Sequence, residues 1–494
     1  MNFIKNFSAG SIRFIISAAA GFISIAVLIR QLDDYDVGTV ILATNLNHYF
    51  ALLVMLFTTT TARFASISYF SKRYLVASQQ ISSALAAITF IGCAIIFSLF
   101  IFFKLSKSFG DTRLEDIRPL FYFTAAAMIT MSFTAVLSAA YFITNKFYLS
   151  DIAEICGKFL FLITILFLAS SDSLTPITYG AAVFIGAVLA LVICVYSFWK
   201  LRLKLAISIS NIRLAPLFEL LHSGKYVLIN TIGVMLYTIT DLIIIQHYFG
   251  KSTLVRYGPA VQYATILPLV CVLVNKIFEP KIAQLIASQN NTEISKVIEI
   301  IIHTLTSINL VAGVFLLLIS HLVFSIWLSS IAFLDILLLS ILIANSYLHL
   351  STAPVFSYLL MTDNLKWPAF VTLLIGILNL IFSIILVKYT ALGMYGAAVA
   401  SFFAIAGKTV FYNLYYTNTI IRLHTYKIWT LILTKLFIGS LTVCTYYYVT
   451  HNTPFPEYNW LLSVILFTLV LTYAILIIPQ ETRKKINGFI FKNA

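Results

Sequence analysis

Long apolar runs dominate this sequence and restrict what the chain can fold into. About 14 stretches, each about 20 residues long and without strict polar–apolar alternation, follow one another along the chain. Hydrophobic residues make up 61% of the 494 residues, and charged residues only 10%. A water-soluble protein could not bury that much apolar surface, so the runs predict membrane spans. Because lipid offers the backbone no hydrogen-bond partners, runs of this length predict helices.

The predicted spans are numbered 1 to 14 in chain order, and the N-terminal run is interpreted as a retained first span because further spans follow it. The eighth span contains Pro268 and the tenth contains Pro354, so both are expected to bend or break. The approximate ranges are 8–29, 37–62, 81–103, 119–143, 152–170, 177–199, 225–248, 257–279, 297–320, 331–360, 369–387, 391–416, 429–449 and 459–478.

The Lys and Arg residues outside the spans predict how the chain is oriented. Alternate connections lie on the same side of the membrane. The side that holds the N-terminus has more than twice as many of these Lys and Arg residues as the other side. This bias predicts that both termini are cytoplasmic and that the number of spans is even. This distribution explains most of the net charge of +14, and the excess of cations also favours contact with anionic membrane lipids. The charge therefore does not predict a nucleic-acid partner.

A repeated pentapeptide indicates an internal duplication. Tyr-Gly-Ala-Ala-Val occurs at 179–183 and again at 395–399, and each copy opens an apolar run followed by a basic segment. A weaker echo joins the residues around Tyr141 to those around Tyr358. Either echo alone could be coincidence, but their similar spacing favours two repeats of six spans each, as in many transporters.

The predicted fold class is therefore an all-α polytopic membrane protein with two like-oriented six-helix lobes, related by a pseudo-two-fold axis, and two extra C-terminal helices. The predicted domains are an N-terminal lobe at 1–200, a cytoplasmic amphipathic linker at 201–224, a C-terminal lobe at 225–416, and the additional helices with a basic cytoplasmic tail at 417–494.

Charged residues within the spans are candidates for a functional role, because each costs about 2.5–3.5 kcal/mol on insertion. Arg13 either faces a cavity or extends back to the cytoplasmic headgroups. Lys158 lies four residues after Glu154 on one helix face, so a local ion pair is the alternative to a cavity role. Asp241 lies deep in the seventh span and favours a function, whereas Lys408 lies on a small-residue face of the twelfth span.

The balance of these charges bears on the substrate. Cations outnumber acids within the spans, which predicts an anionic substrate, and arginine is suited to phosphate through its bidentate fork. The sequence has no Walker motif and no His/Cys metal spacing, so neither ATP-driven transport nor a cofactor is predicted. Coupling to H⁺ or Na⁺ through Asp241 or Glu154 is a candidate mechanism. Lys435 and Asp335 lie near span ends and receive no role.

Taken together, these features resemble the Wzx-type O-antigen flippases of the multidrug/oligosaccharidyl-lipid/polysaccharide (MOP) exporter superfamily. The motifs that carry the resemblance are Leu28-Ile29-Arg30-Gln31-Leu32, then Val37-Gly38, Asp241, Arg256-Tyr257-Gly258 and the segment Leu392 to Ala398.

The resemblance implies a multi-pass protein of the bacterial inner membrane. Such a protein moves an undecaprenyl-diphosphate-linked oligosaccharide, such as an O-antigen unit for lipopolysaccharide, from the cytoplasmic to the periplasmic leaflet. It implies a central cationic cavity, with a downstream polymerase and a chain-length regulator as partners. The substrate-binding residues that follow from the resemblance and the intramembrane charges together are Arg13, Arg30, Lys158, Arg256 and Lys408.

Two other classes of function are compatible with a polytopic chain. An ion-coupled exporter of organic cations on a similar fold would favour an acid-rich cavity, which the intramembrane charges do not predict. A polysaccharide polymerase or ligase usually carries a substantial outer loop, and no predicted outer connection is long enough to fold as a domain. The identity of the glycan is not predicted by any motif.

Overall fold

The protein is entirely helical in the described part of its computed structural model. Residues 2–105, 118–144, 146–238, 240–268, 282, 285–286, 291–328, 334–362, 364–452 and 459–477 are described, and no strand occurs among them. The predicted all-helical fold is therefore confirmed. The later part of the predicted eighth span and the basic tail lie outside the described residues.

The helices are numbered here in chain order. They are α1 Asn2–Gln31, α2 Asp34–Phe70, α3 Tyr74–Leu105, α4 Arg118–Leu137, α5 Ala139–Thr144, α6 Tyr148–Ser170, α7 Pro176–Lys200, α8 Leu214–Leu236, α9 Thr240–Phe249, α10 Leu254–Ala264, α11 Asn291–Trp327, α12 Ile336–Ser351, α13 Ala353–Met361, α14 Lys366–Tyr389, α15 Tyr395–Ile405, α16 Leu414–Ile421, α17 Thr425–Asn452 and α18 Asn459–Ile477.

Many of these helices are long enough to cross a bilayer. Within the described residues, 10 helical segments pass a test of length and hydropathy, and up to 11 do if the bent pair α12–α13 is one span. The other predicted spans correspond to α2, to α10 at the start of the eighth span, and to α18. The chain is thus a multi-pass membrane protein, and the helices agree with the prediction of about 14 spans.

Two spans are interrupted at equivalent places in the two halves of the sequence. The fourth span turns at Ser138, between α4 and α5, and the tenth turns at Thr352, between α12 and α13. The second break bends the helix by 40° and lies two residues before Pro354, which confirms the predicted break there. Breaks at matching positions are what an internal duplication predicts.

The described helices form two compact units. The first unit contains Met1–Met235 and Ile245–Gly258, and the second contains Leu236–Ile244 and Pro259–Ala494. The turn that follows α9 therefore packs in the first unit, against the start of α2. There, Lys251 Nζ donates a hydrogen bond to Tyr35 Oη at 2.7 Å, and a Cβ on Gly38 would lie only 2.2 Å from Lys251 O. Only glycine at position 38 permits this contact.

The segment that joins the two halves of the sequence is fastened to α3. Ser78 Oγ accepts a hydrogen bond from Ala206 N at 3.0 Å, and Ser83 Oγ bonds to both backbone groups of Arg213. Residues 214–221 of the predicted linker form the first two turns of α8, and Leu220 there is fully buried in the core of the first unit. The proposed domain boundaries stay a prediction.

The close crossing of α6 and α7 depends on two glycines, and this gives a testable prediction. A Cβ added to Gly186 would lie 2.6 Å from Gly157 O, so Gly186→Ala is expected to lower the free energy of unfolding by about 1–3 kcal/mol. Gly407 has nothing within 4 Å of its Cβ position, so Gly407→Ala is the matched control. Because alanine has a higher helix propensity than glycine, the Gly407→Ala variant should be as stable as the unaltered protein or more stable. Thermal unfolding in detergent would compare the two, and equal melting temperatures would contradict the prediction.

Candidate functional site

Arg13 lies in an ionic cluster between α1 and α6. Its Nη1 donates a hydrogen bond to Glu154 Oε2 at 2.7 Å, and its Nε lies 2.9 Å from Asp151 Oδ1. The side chain is 27% exposed, so it is neither buried nor free in solvent. Glu154 thus reaches across to Arg13, and its charge also acts on Lys158, four residues further along α6.

Lys158 adds a positive charge to the face of α6 that carries the two acids. It is half-buried one turn after Glu154, and its Nζ lies 6.0 Å from the ring centroid of Phe161. With Arg13 and Asp151 the cluster holds two cations and two acids, so its formal charge is zero. Sequence reasoning missed Asp151, although its spacing of three residues from Glu154 places both acids on one helix face. An arriving phosphate would have to compete with these carboxylates for Arg13.

The other two predicted arginines are exposed at helix ends. Arg30 lies in the last turn of α1, where a cation is favoured by the helix dipole, and Arg256 lies in the first turn of α10. The first unit contains Arg13, Arg30, Lys158, Glu154 and Arg256, whereas the second contains Asp241 and Lys408. That these cations line one cavity stays a prediction.

Asp241 lies where the seventh span is interrupted. The helix stops at Leu236 and resumes as α9 at Thr240, which places the carboxylate in the first turn of a new helix. Asp241 is only 4% exposed and accepts a hydrogen bond from Ser401 Oγ on α15, at 3.0 Å to Oδ2. A helix N-terminus stabilises such a carboxylate, and interrupted spans are where transporters hold small ions.

Oxygen atoms from α14 extend the network around Asp241. Asn379 Nδ2 donates to Leu236 O at the end of α8, at 3.2 Å, and lies 3.4 Å from Ser401 Oγ. Asn379 Oδ1 and Ser383 Oγ, one turn apart on α14, are buried and have no hydrogen-bond partner in the described structure. Unpaired buried oxygens are costly, so the group formed by Asp241, Ser401 Oγ and Asn379 Oδ1 suits a hard cation or a proton. The sequence signal was an Asn and a Ser four residues apart in an apolar run.

Lys408 lies in a π-helical segment, Ala406–Asn413, between α15 and α16. It is 2% exposed, and its Nζ lies 5.6 Å from the ring centroid of Phe356 on α13. Its charge also acts on His349, in the last turn of α12. The lysine therefore faces the break in the tenth span. Segments of π-helix occur frequently at functional sites, which supports the interest of this lysine.

A large apolar groove lies in the second unit. It has a volume of about 920 Å³ and is bounded by α11, α12, α15 and α17. Its lining is mostly aliphatic and aromatic, with Leu310, Phe402, Leu436 and Cys444 among the contributors. All four helices belong to candidate membrane spans, and the lining suits an apolar ligand.

Comparison with known proteins shows which proteins this chain resembles. No family model matches the chain. Among curated proteins, the uncharacterized membrane protein EpsK of Bacillus subtilis (strain 168) is 24% identical over 433 residues, which are 85% of this chain and 84% of that protein.

Solved structures share the fold at low sequence identity. The lipid II flippase MurJ in an inward closed conformation is 17% identical with a TM-score of 0.66, and the match covers 94% of this chain and 99% of that one. An inward-facing multidrug resistance MATE family transporter of the MOP superfamily is 11% identical with a TM-score of 0.63, covering 87% and 95%. The chain therefore has the fold that MATE transporters and the lipid II flippase MurJ, members of the MOP superfamily, have in common.

Proposed function

We propose that this protein flips a lipid-linked oligosaccharide across the bacterial cytoplasmic membrane. Its cargo would be an undecaprenyl-diphosphate-linked O-antigen unit or another polysaccharide repeat unit, moved from the cytoplasmic to the periplasmic leaflet by alternating access. A polymerase acting on the outer surface would then consume the product, and a chain-length regulator would act with it. The fold alone does not choose this cargo, because MurJ and the MATE exporters share it.

The apolar groove is the observation that carries the proposal. Its volume of about 920 Å³ is at the upper end of the range of about 300–1,000 Å³ for ligand pockets, which is enough for part of an isoprenoid chain. One wall is α17, which follows the two sets of six predicted spans. A lipid flippase must accommodate an apolar tail, and this wall is suited to one.

The charged residues fit the head of the same cargo. A diphosphate would exchange for the carboxylates around Arg13, and Arg30, Lys158 and Arg256 of the same unit are the further candidate cations. Lys408 is a separate candidate in the second unit. Outward movement of negative charge across an inside-negative membrane is favoured by about 2.3 kcal/mol per charge per 100 mV. The oxygen cluster at Asp241 would bind H⁺ or Na⁺ and couple the return of the empty carrier to an ion gradient.

The second candidate is an ion-coupled exporter of organic cations. The MATE neighbours and the buried carboxylate of Asp241 favour it. The two candidates make different predictions about the cargo site. Binding of a soluble cation would need an exposed acidic residue and would not depend on the groove.

A transport assay separates the two candidates and is the central test. Cells that lack the protein are expected to accumulate lipid-linked glycan, which can be extracted and reconstituted with the purified protein in liposomes. Membrane-impermeant periodate then measures the fraction of glycan exposed outside, and the protein should speed the approach to equal distribution. Liposomes without protein are the control. No acceleration for this lipid, together with efflux of fluorescent organic cations, would overturn the proposal and support the alternative.

A further inference from the structure

A buried lysine on α17 has no part in the sites described so far. Lys435 is 0% exposed and lies ten residues into the helix, within the span rather than near its end. Its Nζ donates to Ser307 Oγ at 2.7 Å, Thr306 Oγ1 at 2.9 Å and His303 O at 3.3 Å. All three acceptors come from little more than one turn of α11. The interpretation of Lys435 as a residue of a span end is therefore corrected.

The three acceptors form a closed oxygen cage. Thr306 Oγ1 and Ser307 Oγ each donate their own proton to His303 O, at 2.9 and 3.0 Å. Each hydroxyl therefore has its lone pairs free to accept from the ammonium group, and the hydrogen bonds polarise one another. The three N–H bonds of Lys435 are all satisfied by neutral oxygens. Within the described residues, no carboxylate forms an ion pair with Lys435.

A cage of this kind fixes the position of one helix against another. Burying an ammonium is costly, and an apolar residue of similar size would pack at lower cost, so the gain lies in specifying one arrangement. The lysine must reach one particular turn of α11, which sets both the height and the rotation of α17. One turn later along α17, Gly439 also lies close to α11, because a Cβ there would lie 2.9 Å from Leu310 Cδ1. The two contacts together fix how α17 lies against α11.

The groove is built from the same two helices. Leu436, Gly439 and Cys444 of α17 line it opposite Leu310 of α11. Leu436 follows Lys435 directly, so a rotation of α17 that broke the cage would also displace that wall. The shape of the groove and the integrity of the cage are thus linked through one rigid helix.

We propose that Lys435 is a positioning residue for the groove, and that its ammonium cage holds α17 so that the groove accepts an isoprenoid chain. This inference rests on the proposed function, since it names the site of the lipid tail. A phospholipid acyl chain is the alternative occupant, and the experiment distinguishes the two.

Two native cysteines provide the readout. Cys444 lines the groove and is exposed, whereas Cys93 is an exposed residue of α3 in the first unit and serves as an internal reference. Purified protein is treated with N-ethylmaleimide, and mass spectrometry follows the modification of each peptide. Undecaprenyl phosphate should slow modification of Cys444 by about tenfold relative to Cys93, as expected for an occupied site at saturating ligand. Dioleoyl phosphatidylglycerol at the same concentration should not.

The variant Lys435→Ala tests the cage. In this variant, undecaprenyl phosphate should slow the modification of Cys444 by less than about twofold, because α17 is no longer fixed as a wall of the groove. Propylammonium, which reproduces the deleted atoms with their charge, should restore protection, and propan-1-ol of the same length should not. The double variant Thr306→Val with Ser307→Ala should lose protection and should not respond to propylammonium. Rescue of Lys435→Ala by the charged amine but not by the neutral alcohol is a result that a purely structural loss would not give.

The outcomes separate the two levels of the argument. If undecaprenyl phosphate does not protect Cys444 in the unaltered protein, or the phospholipid protects equally, the proposed isoprenoid site is wrong. If the unaltered protein is protected and Lys435→Ala is protected equally, the role of Lys435 is wrong. If Lys435→Ala does not fold, the Thr306→Val and Ser307→Ala variant decides, and retained protection there overturns the inference.

Discussion

Asp241→Asn is expected to abolish ion-driven transport while leaving the protein folded. The substitution keeps the shape of the side chain and its hydrogen bond with Ser401 Oγ, but it removes the negative charge from the oxygen cluster. Contacts to a charged group contribute about 1.5–3 kcal/mol each, so the affinity for a cation should fall by more than about tenfold.

Transport under imposed gradients measures this effect. Proteoliposomes with a Na⁺ gradient, a pH gradient or neither would identify the ion, and Asp241→Asn should respond to none of them. Asp172→Asn is the matched control, because Asp172 lies in an exposed turn with a φ of 50° that asparagine also tolerates. If Asp241→Asn retains the full response to the gradient, the cluster does not couple an ion to transport.

Arg13→Ala is expected to reduce both stability and transport. Without the guanidinium, Asp151 and Glu154 remain close together on α6 with no cation between them. The cost should be about 2 kcal/mol, between the values for exposed and for buried pairs, because the cluster is partly exposed. If Arg13 also contacts a diphosphate, transport should fall by about thirtyfold to a hundredfold.

A triple variant separates these two effects. Arg13→Ala with Asp151→Asn and Glu154→Gln removes the unbalanced carboxylates, so the melting temperature should return towards that of the unaltered protein. Transport should stay low if Arg13 binds the substrate, because the cation that remains in the cluster, Lys158, lacks the bidentate fork of arginine. A triple variant that is stable and fully active would show that Arg13 only neutralises its two acids.

The sequence predicted those features that depend on local chemistry. The helices follow from apolar runs in a solvent that cannot bond to the backbone, and the break in the tenth span follows from Pro354. The burial of Asp241 agrees with its predicted depth in a span, and its role in ion coupling stays a prediction. The interruption of the helix before Asp241 could not be predicted from the sequence, because Leu236 to Thr240 contains neither Pro nor Gly.

Features that depend on contacts between distant segments were missed. Arg13 and Asp151 are remote in sequence, and periodicity within one helix cannot show which neighbour covers a given face. Lys435 was assigned no role for the same reason, since its three acceptors all lie on α11. The π-helical turn around Lys408 has no composition that distinguishes it from an ordinary helix.

The turn that follows α9, which packs on α2 in the first unit as part of the segment Ile245–Gly258, has a consequence for biosynthesis. Translation delivers the whole first set of six predicted spans before this turn leaves the ribosome, so the surface around Tyr35 and Gly38 must wait for residues made later. A fragment truncated in the connecting segment would keep that surface uncovered. Separately expressed halves should therefore accumulate poorly alone and rescue each other when they are made together.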